Sequence, residues 1–239
     1  MPVYRLNREI AFPHPSLARK DGLLAVGGDL SIPRLLLAYS NGIFPWYSDD
    51  DPILWWSPSV RPVVRPSEVH IGRSLAKALK KRPYTITLDR AFPRVIEECA
   101  LASRPGEPGT WITPEMRQAY VALHEAGFAH SAEAWLGEAL VGGLYGVSLG
   151  GMFFGESMFA KAPDASKIAF VTLCRQLVRW EVGLIDSQVT NDHTALFGTV
   201  EIPRSEFLER VAELLQKPTR RGKWSLDEDL AAGQEPNAA

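Results

Sequence analysis

Cysteine is scarce in this chain, which has only two among 239 residues. Cys99 and Cys174 each fall inside a helix-like apolar pattern, which excludes a disulfide framework and a Cys-based zinc site and leaves both as reduced core residues. Long apolar runs are missing too. No stretch of about 18 apolar residues occurs, and the opening MPVYRLNREIAFPHPS lacks the basic-then-apolar layout of a signal peptide. The expectation is a soluble, cytoplasmic protein with no membrane partner. Charge of one sign is also lacking: a net charge of −2 gives no global attraction for nucleic acid, so such a partner would need basic residues gathered in one place. The five histidines, His14, His70, His124, His130 and His193, show no recognised ligand spacing, and no metal site is expected.

What is present is ample apolar material, 46% of the residues, enough for one large domain or a small domain attached to a larger one. Residues 1–61 are rich in proline, glycine and tryptophan, as in GLLAVGGDLS and NGIFPWYSDDDPILWWSPSVRP, and read as a small irregular N-terminal domain. Within it Ser31 caps a short helix through Tyr39 that Asn41-Gly42 ends. Residues 62–225 read as a larger domain and 226–239 as a disordered, polar, alanine-rich tail.

In the larger unit HIGRSLAKALKKRPY predicts a helix with Leu75 and Leu79 on one face and Arg73, Lys77, Lys80 and Lys81 on another. Asp89 is placed to cap a helix over AFPRVIEECALA, and Thr113-Pro114-Glu115 starts a third over MRQAYVALHEAG. From His130 the period changes to that of strands, with turn signals at Leu136-Gly137-Glu138 and Gly150-Gly151, which gives an antiparallel three-strand meander. Asp164 then caps a long helix closed by Gly183, followed by a strand, a short helix near His193, an extended TVEIP and a last helix over SEFLERVAELLQK. The fold class is α+β.

The strand after Gly183, LIDSQVTNDH, carries unusual polarity for a core segment. Alternation puts Asp186 and Gln188 on one face and Ile185, Ser187 and Val189 on the other. A buried carboxylate beside a buried amide is costly unless each finds partners or opens onto a cavity, so the pair is either a structural network at a strand end or a ligand site. A triad built on Ser187 is disfavoured, because its hydroxyl turns away from Asp186 and no nucleophile elbow surrounds it. A second polar point is Glu156, set among Phe153, Phe154, Met158 and Phe159, either placed for chemistry or turned to solvent. Trp46, Trp55, Trp56 and Trp111 are core residues or faces for stacking nucleotide bases, and the basic helix face is a phosphate tracker or an ordinary solvated surface.

GLLAVGGDLS, GIFPWY, PILWWSP, TWITP, LVGGLYGV, FFGESMF, ASK, LIDSQVTNDH and EIPR, in this order from about Ala11 to Phe207, closely resemble the bacterial leucyl/phenylalanyl-tRNA–protein transferases. The resemblance implies transfer of Leu or Phe, with Met weaker, from charged tRNA to the α-amine of proteins beginning with Arg or Lys. That marks the acceptors for N-degron degradation, with no cofactor or metal. It implies an N-terminal domain followed by a unit similar to the GCN5-related N-acyltransferases, and a monomer. Residue by residue it makes Asp186 and Gln188 the catalytic pair with Glu156 beside them. It assigns Trp46 and Trp111 to the aminoacyl-adenosine end of the tRNA, Phe153, Met158, Phe170 and Ile185 to the pocket for the Leu or Phe side chain, and Tyr120 to the vicinity of the cleft.

In that scheme Gln188 orients the amine and Asp186 polarises Gln188, or Gln188 is itself the base. Ser187, Ala160 and Leu196-Phe197 depart from the family pattern without touching the proposed pair. Two rivals remain. A CoA-dependent acetyltransferase would need a Gly-rich turn where this chain has AKAPDASK, with no glycine. A non-catalytic RNA-binding module would need the basic face but not Asp186 and Gln188.

Overall fold

The computed structural model describes residues 3–102, 111–190 and 192–231, with the backbone alone at residues 192 and 193. The N-terminal unit is built from β1 (Tyr4–Leu6), β2 (Leu23–Gly27), α1 (Ile32–Ser40), β3 (Phe44–Pro45) and β4 (Leu54–Trp56). Its strands form a sheet of order β1-β2-β4-β3, so this part is more regular than its proline and glycine content suggests. Ser31 occupies the N-cap of α1, Pro33 lies in the first turn, and Gly42, at φ +66°, takes the left-handed conformation just past the helix end. The helix buries Leu35, Ala38 and Tyr39 on one face.

The larger unit runs β5 (Val60–Val64), α2 (Arg73–Lys81), β6 (Thr85–Leu88), α3 (Phe92–Leu101), α4 (Pro114–Glu125), β7 (Ala129–Leu136), β8 (Ala139–Leu149), β9 (Met152–Ala160), α5 (Ala165–Arg179), β10 (Leu184–Asp186), α6 (Asp192–Ala195), β11 (Val200–Pro203), α7 (Arg204–Leu214) and α8 (Glu228–Ala231). Its seven strands form one sheet of order β11-β5-β10-β9-β8-β7-β6. One face is covered by α5, where Leu144, Phe153, Ile168, Phe170, Leu177 and Ile185 share a core. The other is covered by α3, α4 and the N-terminal unit, whose Leu35 and Tyr39 join Phe92, Met116, Tyr120 and Phe154 in a second core. Gly142 permits the close approach of α5, since a Cβ there would stand 2.6 Å from that of Ala165. The molecule is a mixed α/β protein with a separate N-terminal unit.

Two strands depart from the sequence expectation. VRPVV, which spans the expected boundary between residues 61 and 62 and for which no strand is expected, is β5, an inner strand paired with both β10 and β11, and TITL is the edge strand β6. Pro62 is tolerated in β5 at a position opposite Glu201 of β11. Asp89 caps no helix; the N-cap of α3 is Ala91. Asp89 instead has a left-handed backbone and a buried carboxylate that accepts from the Ser131 N–H (2.8 Å) and the Trp224 N–H (2.7 Å) and pairs with His130 Nδ1 (2.8 Å).

The segment after α7 forms a strap. Thr219 Oγ1 accepts from the Gly150 N–H, and the Trp224 indole stacks on the His130 ring at 3.6 Å and 4°. The expected disorder from residue 226 does not apply to residues 226–231: Arg179 pairs with Asp227 and Asp229, and Leu230 is buried. The rest of that tail, 232–239, lies outside the described residues. No helix among the described residues is long and apolar enough to cross a membrane.

Candidate active site

The site forms where β9 and β10 part. These strands pair in parallel at Leu184–Met152, Ile185–Phe153 and Asp186–Phe154, and there β10 ends while β9 continues to Ala160. At the same level β9 carries a bulge: Tyr145 of β8 pairs with Ser157 but the next residue, Gly146, pairs with Gly155, leaving Glu156 as the extra residue. A bulge bends a strand and re-aims a side chain, and here it presents Glu156 to α1 and α4.

The Glu156 carboxylate is held from three directions. Its Oε1 accepts from the Tyr39 hydroxyl (2.7 Å) and from the Gln188 amide Nε2–H (2.7 Å), and its Oε2 accepts from the Tyr120 hydroxyl (3.1 Å). Tyr39 and Tyr120 also hydrogen-bond to each other. Burial pushes Glu156 up to about 7; the three donors oppose the shift, and the nearby negative charge of Asp186 adds to it. Burial likewise holds both tyrosine hydroxyls well above their ordinary range, with the charge of Glu156 next in effect.

Asp186 is 0% exposed and its partner Arg61 1%. Arg61 Nε donates to Oδ1 at 3.3 Å, and Nη2 closes the second arm of a fork on Oδ2. Arg61 Nη1 donates to the Gly42 carbonyl at 2.6 Å, and the guanidinium lies over the rings of Phe44 and Phe207. The remaining bond of Asp186 is to backbone: Oδ1 accepts from the Gln188 N–H at 2.9 Å. That bond turns the chain two residues on and sets Gln188 at φ +62°, outside any strand. Gln188 is 7% exposed, and its side-chain amide faces Glu156, so the carboxylate that polarises it is Glu156 rather than Asp186. Strict alternation therefore fails after Asp186, although Ile185 does turn away from it into the α5-side core.

The proposed residues fall into four groups. Glu156, Tyr120 and Gln188 are in direct contact, and Asp186 reaches them through the backbone. Phe153, Phe170 and Ile185 are buried together on the α5 side, where the half-buried Met158 packs against them. Trp46 is 38% exposed against Trp56, while Trp111 is half-buried at the N-terminal side of α4. A cavity of about 520 Å³ lined by Gly28, Tyr47, Asp51, Thr113 and Glu115 lies beside these two tryptophans in the chain. Arg73, Lys77, Lys80 and Lys81 are all exposed on α2, and no described carboxylate pairs with them. Sequence reasoning missed Tyr39 and Arg61; the signal for Arg61 was a cation inside an otherwise apolar VRPVV.

An oriented amide backed by a carboxylate, with no Ser, Thr or Cys among the described partners of either, is equipped to seat a nucleophile that the substrate brings and to handle its proton. Such a site suits group transfer. Comparison with known proteins agrees. Residues 63–212 match the family described as leucyl/phenylalanyl-tRNA protein transferase, and residues 28–59 match its N-terminal domain. A leucyl/phenylalanyl-tRNA–protein transferase from Anaeromyxobacter sp. (strain Fw109-5) is 60% identical over 239 residues, covering 100% of both chains. The protein of that name from Myxococcus xanthus (strain DK1622) is 57% identical, covering 94% of this chain and 97% of its own. Among solved structures, that of L-PGS from Bacillus licheniformis is similar at a TM-score of 0.37 and 12% identity, covering 87% of this chain and 69% of that one. The chain belongs to the leucyl/phenylalanyl-tRNA protein transferase family and is an enzyme, an aminoacyltransferase.

Proposed function

We propose that this enzyme moves Leu or Phe, and Met less well, from charged tRNA to the α-amine of proteins that begin with Arg or Lys, marking them for degradation in the N-degron pathway. It works as a cytoplasmic monomer without cofactor or metal, and its larger unit is of the GCN5-related N-acyltransferase kind. The observation that carries this reading is the buried Gln188 amide, fixed by Glu156 at the point where β9 and β10 part. An α-amine has a pKa of about 7.7–8.0 and must lose a proton to attack an ester carbonyl. Gln188 seats the amine, and Asp186, held by Arg61, keeps the turn that carries Gln188.

The ester is already activated, so positioning can supply up to roughly 7–11 kcal/mol of the acceleration. Asp186 is neutralised by Arg61, which leaves Glu156 to favour a cationic first residue on the acceptor. Phe153, Met158, Phe170 and Ile185 receive the Leu or Phe side chain, with discrimination of about 1–3 kcal/mol per methylene. Trp46 and Trp111 take the aminoacyl-adenosine end, and Arg73, Lys77, Lys80 and Lys81 the tRNA phosphates.

The test mixes the protein with tRNA carrying labelled Phe and a peptide beginning with Arg, then follows label into peptide. The wild-type protein transfers label and an Asp186→Ala, Gln188→Ala variant loses at least about a hundredfold in rate, equivalent to roughly 2.7 kcal/mol of barrier. Unchanged transfer by that variant refutes the site assignment. No transfer by the wild-type protein favours an RNA-binding module, and consumption of acetyl-CoA favours an acetyltransferase.

A further inference from the structure

Resting on that reading, we propose that Glu156, Tyr39 and Tyr120 together accept the proton that the acceptor's α-amine sheds, with Glu156 as the group that takes it and the two tyrosines as positioning residues. The basis is a count of protons. Tyr39, Tyr120 and Glu156 form a closed triangle of three contacts, Tyr39 to Tyr120, Tyr39 to Glu156 Oε1 and Tyr120 to Glu156 Oε2. An ionised carboxylate brings no proton, so two hydroxyl hydrogens must serve three contacts. One contact is then left as two oxygens facing each other without a hydrogen between them. A proton on Glu156 completes the ring: Oε2–H donates to Tyr120, Tyr120 to Tyr39, and Tyr39 to Oε1. Glu156 Oε1 keeps its second lone pair for the Gln188 Nε2–H throughout. The ring can therefore take the proton with all three contacts bonded, while the ionised carboxylate, with its charge, draws more from each donor than the neutral acid does.

The surroundings favour that loading. Phe154 packs on Tyr39 at 5.1 Å, and Tyr145 meets Tyr120 edge-on at 5.7 Å. The charged groups facing the ring are Asp186 from β10, which opposes ionisation of Glu156, and Arg61 from β5, which is spent on Asp186. Arg204 from α7 lies beyond, donating to the Ser57 carbonyl. No described cation pairs with Glu156 to hold it ionised. The amide oxygen of Gln188, free of protein partners among the described residues, is left to accept an N–H of the incoming amine while the amide nitrogen points to Glu156.

The step balances. A protonated amine sheds two protons on becoming an amide. As the nitrogen lone pair forms the new C–N bond and the ester C–O bond breaks, the departing ribose oxygen takes one proton and Glu156 takes the other. The latter passes to water after the product leaves.

The test uses the full-length protein, its Tyr39→Phe, Tyr120→Phe and Glu156→Gln variants, and two readouts. In ¹³C-glutamate-labelled free enzyme, the carboxyl signal absent from Glu156→Gln titrates near 7 in the wild type. Its midpoint moves upward by at least about half a pH unit in either Tyr→Phe variant, because the ionised form loses a donor. Single-turnover transfer of Phe to an Arg-peptide, at saturating acceptor, then shows an acid limb that moves upward with that midpoint in Tyr39→Phe. The rate at pH 6.5 falls at least about 2.5-fold and recovers by pH 8.5, as half a pH unit demands. A merely structural tyrosine would change rate or stability without moving the limb. The two Tyr→Phe variants carry the test if Glu156→Gln does not fold. An acid limb that stays in place while transfer proceeds overturns this proposal alone. Absence of transfer by the wild type overturns the functional reading and this proposal with it.

Discussion

Replacing Arg61 by Met should cost more stability than any surface change in this protein, because it strands a carboxylate that has no route to water. Asp186 is 0% exposed and Arg61 1%, and the fork between them is reinforced by the Gly42 carbonyl and by two aromatic faces. Breaking a buried pair from one side costs about 3–5 kcal/mol, since the remaining charge loses its partner without regaining solvent. For a chain of this size that corresponds to a fall in melting temperature of about 6–20 °C. Asp186→Asn should cost a comparable amount by stranding the guanidinium. The double variant, Arg61→Met with Asp186→Asn, removes both charges and should be more stable than the sum of the singles predicts, with a coupling of at least about 2 kcal/mol. Urea unfolding measures this, with midpoints compared at constant slope so that the difference reports stability rather than a change in the denatured state. Additivity within about 0.5 kcal/mol would mean that neither charge is stranded by loss of the other, and the account of Asp186 as a carboxylate held by Arg61 would be wrong.

Reversing Arg73, Lys77, Lys80 and Lys81 to Glu should weaken charged-tRNA binding and flatten its salt dependence. If each neutralises one phosphate, the slope of log K against log salt falls by up to about 3, and an unchanged slope in a filter-binding titration would return this face to ordinary solvent. Gly127→Ala should loosen the strap that follows α7. Gly127 has φ +79°, and a Cβ there would sit 2.4 Å from the Gly222 backbone nitrogen. The backbone term alone is about 1–2 kcal/mol. Limited proteolysis should then cut within residues 217–231, and resistance equal to wild type would count against the contact.

The parts of this fold legible in the sequence were those governed by neighbours in the chain. Ser31 and Gly42 bound α1, Thr113 caps α4 with its hydroxyl on the Met116 N–H at 3.2 Å, and the glycine turns delimit the meander. Glu156 and Gln188 stood out because polar groups in apolar runs need partners. The partners themselves were not legible, since Tyr39 and Glu156 are 117 positions apart and Arg61 and Asp186 are 125 apart. Tyr39 looked like one more apolar-face residue of α1, and the proline in VRPVV hid an inner strand. Asp89 had the spacing of a helix cap, but the Ser131 and Trp224 N–H groups compete successfully for its carboxylate, and only the folded sheet brings them there. The alternation that placed Asp186 and Gln188 on one face gave a useful pairing for the wrong reason. The two are joined by a turn that ends the strand.

The place of β5 in the sheet bears on how the protein comes off the ribosome. It lies between β11 and β10, both of which follow it by more than a hundred residues. The nascent chain therefore carries Val63 and Val64 on a strand with two open edges, beside an arginine whose counterion has not yet been made. Closure of the sheet is a late and strongly non-local event, of the kind that slows folding and invites association of incomplete chains. A chain that stops before Asp186 lacks both the strand that joins β5 to the rest of its sheet and the turn that places Gln188.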